Sequence, residues 1–176
     1  FRTRNVDILS DIPVQAAEDV AKSDPGAQAF TLTPSTGGWD IAFRLDKAPW
    51  NDVRVRRAMS MALDRDDINQ KVFNGKGYTG LTEIPWYYLF DAPTKLSDLP
   101  EWYQYNPKKA KALMAEAGFA GGLKVPGGLV YRAAQREQEG EVALSQQMWK
   151  EIGIDVALRP LDYTIYGQRI LSEAGN

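Results

Sequence analysis

The chain has 176 residues, 44% of them apolar, enough to bury a real core with one domain as the default. A formal charge of −2 gives no electrostatic footing for nucleic acid or an anionic membrane surface. With no Cys and no His, disulfides and thiolate metal sites are excluded and the commonest general base is missing; no apolar run approaches the roughly 20 residues of a membrane span.

In chain order, Val6-Asp-Ile-Leu9 reads as a short buried strand. Pro13 then fits the first position of a helix running to about Lys22 on Val14, Ala17 and Val20. Ser23-Asp-Pro-Gly is a turn. Ala29 to Thr33 is an extended run, Pro34-Ser-Thr-Gly-Gly a flexible joint, and Trp39-Asp-Ile-Ala-Phe-Arg-Leu alternates like a strand. Pro49 stops that segment. Asn51 and Asp52 are good N-caps for a helix whose apolar face is Val55, Ala58, Met59, Ala62 and Leu63. Asp64 caps a second helix carrying Ile68, Val72 and Phe73, which Asn74-Gly75 ends.

A Gly-rich loop from Gly75 to Tyr88 lacks the Lys-Ser/Thr and the strand-to-helix setting of a phosphate loop. Asp91 to Tyr105 is irregular. Asn106-Pro107 opens a helix that Gly118 closes, and the glycines at 121–122 and 127–128 flank a linker into the strand Leu129-Val-Tyr-Arg132. A long helix follows from about Gln135 to Glu151, with Val142, Leu144, Met148, Trp149 and Ile152 inward, and Gly153 ends it. Ile154 to Arg159 is a strand, and Asp162 caps a last helix bearing Tyr163, Tyr166 and Ile170. Strand–helix–strand order predicts an α/β sheet with helical cover.

The candidate chemistries weigh against catalysis. Arg54, Arg56, Arg57 and Lys47 are flanked by Asp52, Asp64, Asp66 and Asp67, which fits ion pairs at helix ends better than a nucleic-acid patch. The three aspartates at 64, 66 and 67 lack the Gly and distal Glu of a calcium loop and suit a helix N-terminus. No Ser sits in a nucleophile elbow, and no pair of carboxylates has a recognisable catalytic setting. Five Trp and eight Tyr serve either a core or an aromatic-lined ligand cleft.

The run Ala48-Pro-Trp-Asn-Asp-Val-Arg-Val-Arg-Arg-Ala-Met-Ser-Met-Ala-Leu-Asp-Arg-Asp-Asp-Ile68 resembles the signature of the family 5 extracellular solute-binding proteins, the receptors of ABC importers. Two further blocks follow in that family's order: Asn106-Pro-Lys-Lys-Ala-Lys-Ala-Leu-Met-Ala-Glu-Ala-Gly118 and Gln147-Met-Trp-Lys-Glu-Ile-Gly-Ile-Asp-Val156. The resemblance covers nearly the whole chain, which would be roughly a third of a full-length member, beginning inside a helix and stopping short of the end of the lobe.

The resemblance implies a periplasmic-binding-protein-like (type II) α/β lobe, a mixed sheet flanked by helices. Residues 1–34 are then the edge of the first lobe and the crossover, and 35–176 most of the second, ligand-binding lobe; a plain β-turn within one sheet is the competing reading of the joint. It implies capture of a small solute or short peptide, most simply an oligopeptide, between two lobes, and delivery to a membrane permease. The protein would be extracytoplasmic, in the periplasm or anchored at the cell surface. No enzyme activity, cofactor, metal or nucleic acid is expected.

By the same resemblance Tyr163, opening the last helix, faces the cleft, as do Arg132, Gln135 and Gln138 after the Val130-Tyr131 strand. Trp39, Asp40 and Trp86 are weaker candidates, and packing competes with ligand binding at every one of these positions. The alternative function is an interaction or structural α/β domain that keeps the fold without transporting a ligand. A retained cleft would leave Tyr163 and Trp39 accessible.

Overall fold

The computed structural model describes residues 7–9, 12–28, 40–77, 79 and 95–174. By its internal contacts the chain divides into two units, between Ser35 and Thr36.

In the first unit the described residues form one helix, α1 (Val14–Ser23). Pro13 is its N-cap, not its first helical residue, since the Pro13 carbonyl accepts the first helical bond from the Ala17 N–H at 3.0 Å. Proline serves there because its fixed φ is compatible with the extended backbone of a cap. The Asp24 side chain accepts the Gly26 N–H at 3.0 Å and makes the expected turn. The buried strand expected at Val6–Leu9 does not form over its described part. Ile8 is 86% exposed, and Asp7, Ile8 and Leu9 have no ladder partner among the described residues; Val6 lies outside them. A strand needs a neighbour for its N–H and C=O groups, and three apolar letters do not provide one.

The second unit is built on helices α2 (Val53–Met61), α3 (Arg65–Phe73) and α4 (Pro107–Glu116), then β1 (Leu123–Lys124), β2 (Leu129–Arg132), α5 (Arg136–Glu151), β3 (Ile154–Asp155), β4 (Leu158–Leu161) and α6 (Tyr163–Ala174). The caps are those the sequence predicts. Asp52 accepts from the Arg54 N–H, Asp64 from Asp67 and Asn106 from Lys109, each satisfying an orphan donor of a first turn. At the end of α4, Gly118 takes φ 91°. Its N–H reaches the Ala115 carbonyl while the Phe119 N–H reaches that of Met114, which satisfies two of the last carbonyls. Residues 95–105, expected to be irregular, hold two short 3₁₀ turns at Leu96–Asp98 and Glu101–Tyr103.

Three extended segments differ from expectation. Residues 40–44 form no strand among the described residues, although Ile41 and Phe43 do pack on the core while Ala42 is exposed. The alternation reflects that packing, with the Phe43 ring 5.1 Å from Trp50, and not a ladder. The linker at 121–128 contains β1, paired in parallel with β3. The single strand expected from Ile154 to Arg159 is two segments, β3 and β4, the second reaching Leu161 and parallel to β2. Between the pairs Lys124–Asp155 and Leu129–Leu158 the first chain uses two more residues than the second, so the ladder is interrupted at Pro126-Gly-Gly. Gly128 has φ 73°, and a Cβ there would collide with the Ala157 carbonyl oxygen. Pro160 is tolerated in β4 because Leu161 turns its carbonyl to the Ala133 N–H, which leaves the imide nitrogen on the opposite edge.

The core lies between α2, α4, α5 and the strands. Val55, Ala58, Met59 and Met61 meet Ala110 and Met114, with Trp149, Ile152 and Ile154 completing it. Trp149 is 1% exposed and its indole N–H donates to the Met59 carbonyl at 3.0 Å, so its single polar atom is satisfied inside the core. α5 is the crossover that two parallel strands, β2 and β4, require.

The expected extended run at 29–33, the joint at 34–38, most of the Gly75–Tyr88 loop and residues 91–94 lie outside the described residues.

Candidate functional site

In an open α/β arrangement, ligand sites form where chains leave the carboxyl ends of parallel strands. β2 and β4 end side by side, with Arg132 opposite Leu161, and each leads directly into a helix. Asp162 caps α6 by accepting the Thr164 N–H at 2.9 Å, and its own carbonyl accepts from Tyr166, so Tyr163 is held in the first helical turn. Tyr163 is 67% exposed. The strand pairing carries the Arg132 guanidinium to 4.6 Å from the centre of the Tyr163 ring, across 31 residues of sequence. The guanidinium lies over the ring, and among the described residues no carboxylate is within ion-pair distance of it.

Gln135 is the N-cap of α5, but its side chain makes no capping bond. Gln138 lies in the first turn, with its side-chain oxygen buried and, among the described residues, lacking a hydrogen-bond partner. The turn before α5 is held differently. Ala134 has φ 62°, and its N–H donates to the Glu139 carboxylate at 3.0 Å.

Asp40 is exposed and bears electrostatically on Glu141, one helical turn beyond Gln138. Burial raises the Glu141 carboxyl to about 7; the Asp40 charge adds to the rise and Arg65 opposes it. Arg65 is itself partly buried, which holds it below the usual arginine range. It donates to the Ser60 carbonyl and hydroxyl and to the Tyr103 carbonyl, and it faces the Tyr103 ring. Trp39 and Trp86 lie outside the described residues.

The structure therefore brings Arg132 and Tyr163 into contact, puts Gln135 at the N-cap and Gln138 in the first turn of the helix that follows, and leaves Asp40 within electrostatic reach of Glu141. Two participants were not singled out in the sequence. Glu141 was legible: counting back from Trp149 through Ser145 along the buried stripe of α5 reaches Glu141 and Gln138, polar residues on a core-facing line. Glu139 carried no comparable signal, because its role depends on the left-handed turn at Ala134.

The remaining polar clusters are structural. Arg54 pairs with Asp52 and also donates to the Glu116 carbonyl, while Asp67 pairs with Lys71 and Glu101 with Lys109. Arg57 covers the Trp102 ring at 4.5 Å.

Parallel strands joined through a helix, with helices packed on them, give an α/β unit of the kind that forms a lobe of a periplasmic-type binding protein. The chain belongs to the bacterial extracellular solute-binding proteins, family 5, whose middle region matches residues 1–174. It is 31% identical over 166 residues to the probable deoxycholate-binding periplasmic protein YgiS of Escherichia coli K12, covering 94% of this chain and 30% of that protein. The periplasmic oligopeptide-binding protein OppA of Salmonella typhimurium is 28% identical, with the same coverage. Among solved structures, AgaA of A. tumefaciens R10 in complex with agropinic acid superposes with a TM-score of 0.66 at 26% identity, over 96% of this chain and 33% of AgaA. The chain thus spans about 30% of the length of these curated relatives. The family is extracellular and these relatives are periplasmic, so the chain is extracytoplasmic. None of the described helices is long and apolar enough to cross a membrane.

Proposed function

We propose that the protein carrying this chain is the substrate-binding component of an ABC importer. It captures an extracytoplasmic solute of the oligopeptide class between two lobes and delivers it to a membrane permease. Residues 35–176 supply most of the second lobe and residues 1–34 the edge of the first and the crossover; the division of contacts between Ser35 and Thr36 supports this.

The observation that carries the reading is the Arg132–Tyr163 pair. An exposed phenol ring with a guanidinium stacked on it offers a flat apolar face and, beside it, donors for a carbonyl or carboxylate oxygen. Gln135 at the N-cap of α5 and Gln138 in its first turn add polar groups after Arg132. Asp40 and, by the family resemblance alone, Trp39 and Trp86 complete the proposed set. The three relatives are named for binding deoxycholate, oligopeptides and agropinic acid, so chemically different solutes occur among proteins similar to this chain, and a binding role is favoured. The oligopeptide class is the finer part of the proposal.

Native mass spectrometry of the protein purified without refolding tests it. A co-purified mass matching a series of short peptides supports the whole reading, and another small solute keeps the receptor and replaces its ligand class. An empty protein with no thermal shift against peptides, sugars and metal chelates would overturn it in favour of an interaction domain.

A further inference from the structure

We propose that Met148 is an oxidation site: a peroxide-class oxidant converts its thioether to the sulfoxide and so releases the corner between α2 and α3 from α5.

The sequence holds four methionines and no Cys, so thioether sulfur is the only sulfur this chain offers an oxidant. Met59, Met61 and Met114 are 4%, 2% and 1% exposed and belong to the core cluster. Met148, on α5, is half-buried. The seam it occupies reaches water. Tyr105 is 46% exposed and lies within electrostatic reach of Asp64 and of Glu151. Glu151 follows Met148 by three positions on α5 and is itself exposed. Methionine oxidation follows access to the sulfur, which sets Met148 apart from the other three.

That sulfur also holds the fold together locally. α2 ends at Met61 and α3 begins at Arg65. In the corner between them the Asp64 backbone N–H donates to Met148 Sδ at 3.4 Å, across 84 residues of sequence. Among the described residues no other acceptor takes that N–H. Asp64 is the N-cap of α3, its carboxylate holding the Asp67 N–H, so the sulfur fixes the residue from which the helix starts. Elsewhere α3 and α5 pack closely: a Cβ on Gly140 would come within 3.3 Å of Val72, so the helices have little slack.

The reaction needs only the oxidant. A sulfur lone pair attacks one oxygen of hydrogen peroxide, an S–O bond forms as the O–O bond breaks, and the departing hydroxide takes the remaining proton and leaves as water. Sulfur loses two electrons and the peroxide gains them. The product cannot keep the Asp64 contact. An oxygen in line with the N–H has no room, because it must itself stand about 2.9 Å from a nitrogen that is only 3.4 Å from the sulfur. An oxygen on the other lone pair leaves a positively polarised sulfur facing the N–H. Either product leaves the corner without its acceptor and puts a polar group into a half-buried seam.

The test is a brief exposure of the protein carrying this chain to hydrogen peroxide, followed by tryptic mass mapping. Met148 falls in the peptide 137–150, Met59 and Met61 together in 58–65, and Met114 in 112–124, so the sites are read apart. The 137–150 peptide is expected to gain one oxygen at least about tenfold faster than the other two, with fragmentation placing it on Met148. In the oxidised protein the Asp64 amide exchanges faster with deuterium and the melting temperature falls by several degrees. Methionine sulfoxide reductases acting on both epimers restore both. Met148→Leu, similar in volume, is expected to show no such fall after the same treatment. If that variant does not fold, the reductase reversal on the parent carries the test alone. Equal oxidation rates in the three peptides overturn the inference. So does a Met148 sulfoxide whose Asp64 amide exchanges at the parental rate, or a fall of parental size in Met148→Leu.

Discussion

Two regions of the second unit are built on opposite principles. In the core the large buried side chains are apolar or satisfied: Val55, Met61, Met114 and Ile154 share one cluster with Trp149, whose N–H has the Met59 carbonyl. At the ends of β2 and β4 the inventory is reversed. Tyr163 stands out in solvent, Arg132 has no carboxylate partner and the Gln138 oxygen is buried without a partner among the described residues, and Ala134 holds a strained turn. The difference teaches where stability and function reside in this chain. A core gains from filling every contact, whereas a binding corner must leave hydrogen-bonding capacity unspent until a ligand arrives.

The sharpest way to break the comparison is at the core. Trp149→Ala removes a fully buried ring and leaves the Met59 carbonyl unpaired. It is expected to destabilise the fold by about 3–5 kcal/mol, read by urea denaturation. A loss below about 1 kcal/mol would mean that the core is not organised on this residue.

Glu141 lies between the two regions and tests the boundary by pH. Its folded pKa, about 7, is above that of a free carboxyl, so the folded state prefers the neutral acid. Stability is then greatest below the unfolded value near 4.5, falls as pH rises between there and about 7, and stays low above it. Glu141→Gln is expected to flatten that decline and to stabilise the protein at pH 8 by roughly 1–3 kcal/mol. Parallel denaturation at pH 5 and pH 8 decides it: equal slopes for parent and variant would exclude Glu141 as the source.

Gly128→Ala probes the break in the ladder. A positive φ and a collision with the Ala157 carbonyl predict a loss of about 2 kcal/mol, with reduced amide protection at Leu129. The smallest stability effect belongs to the corner itself. Arg132→Ala is expected to move the midpoint by no more than about 0.5 kcal/mol while strongly reducing bound ligand. A large loss of stability from that change would place Arg132 with the scaffold instead.

Much of the architecture is legible in local chemistry. Asp52, Asp64, Asn106 and Asp162 announce helix starts that the chain adopts, because a short polar side chain needs only the next turn's N–H groups. Gly118 and Gly153 announce ends, because only glycine takes their positive φ cheaply. The long amphipathic α5 and the strands beside it fix an α/β unit. The extended segments were less legible, and the reason is physical. At 7–9 and 40–44 the apolar spacing is right, yet a strand exists only where a second chain meets it in register.

The sequence by itself therefore determined the helices with their caps, the strand–helix–strand order and the likeness to a solute-binding family. Each of those depends on residues within a few positions of one another or on blocks of consecutive letters. Only the tertiary structure decided that the Arg132 guanidinium lies over a ring 31 residues away, that Glu141 is half-buried within electrostatic reach of Asp40, and that the ladder breaks at Gly128. Those facts depend on which strands pair and in what register, a balance of long-range contacts that no local run of residues encodes.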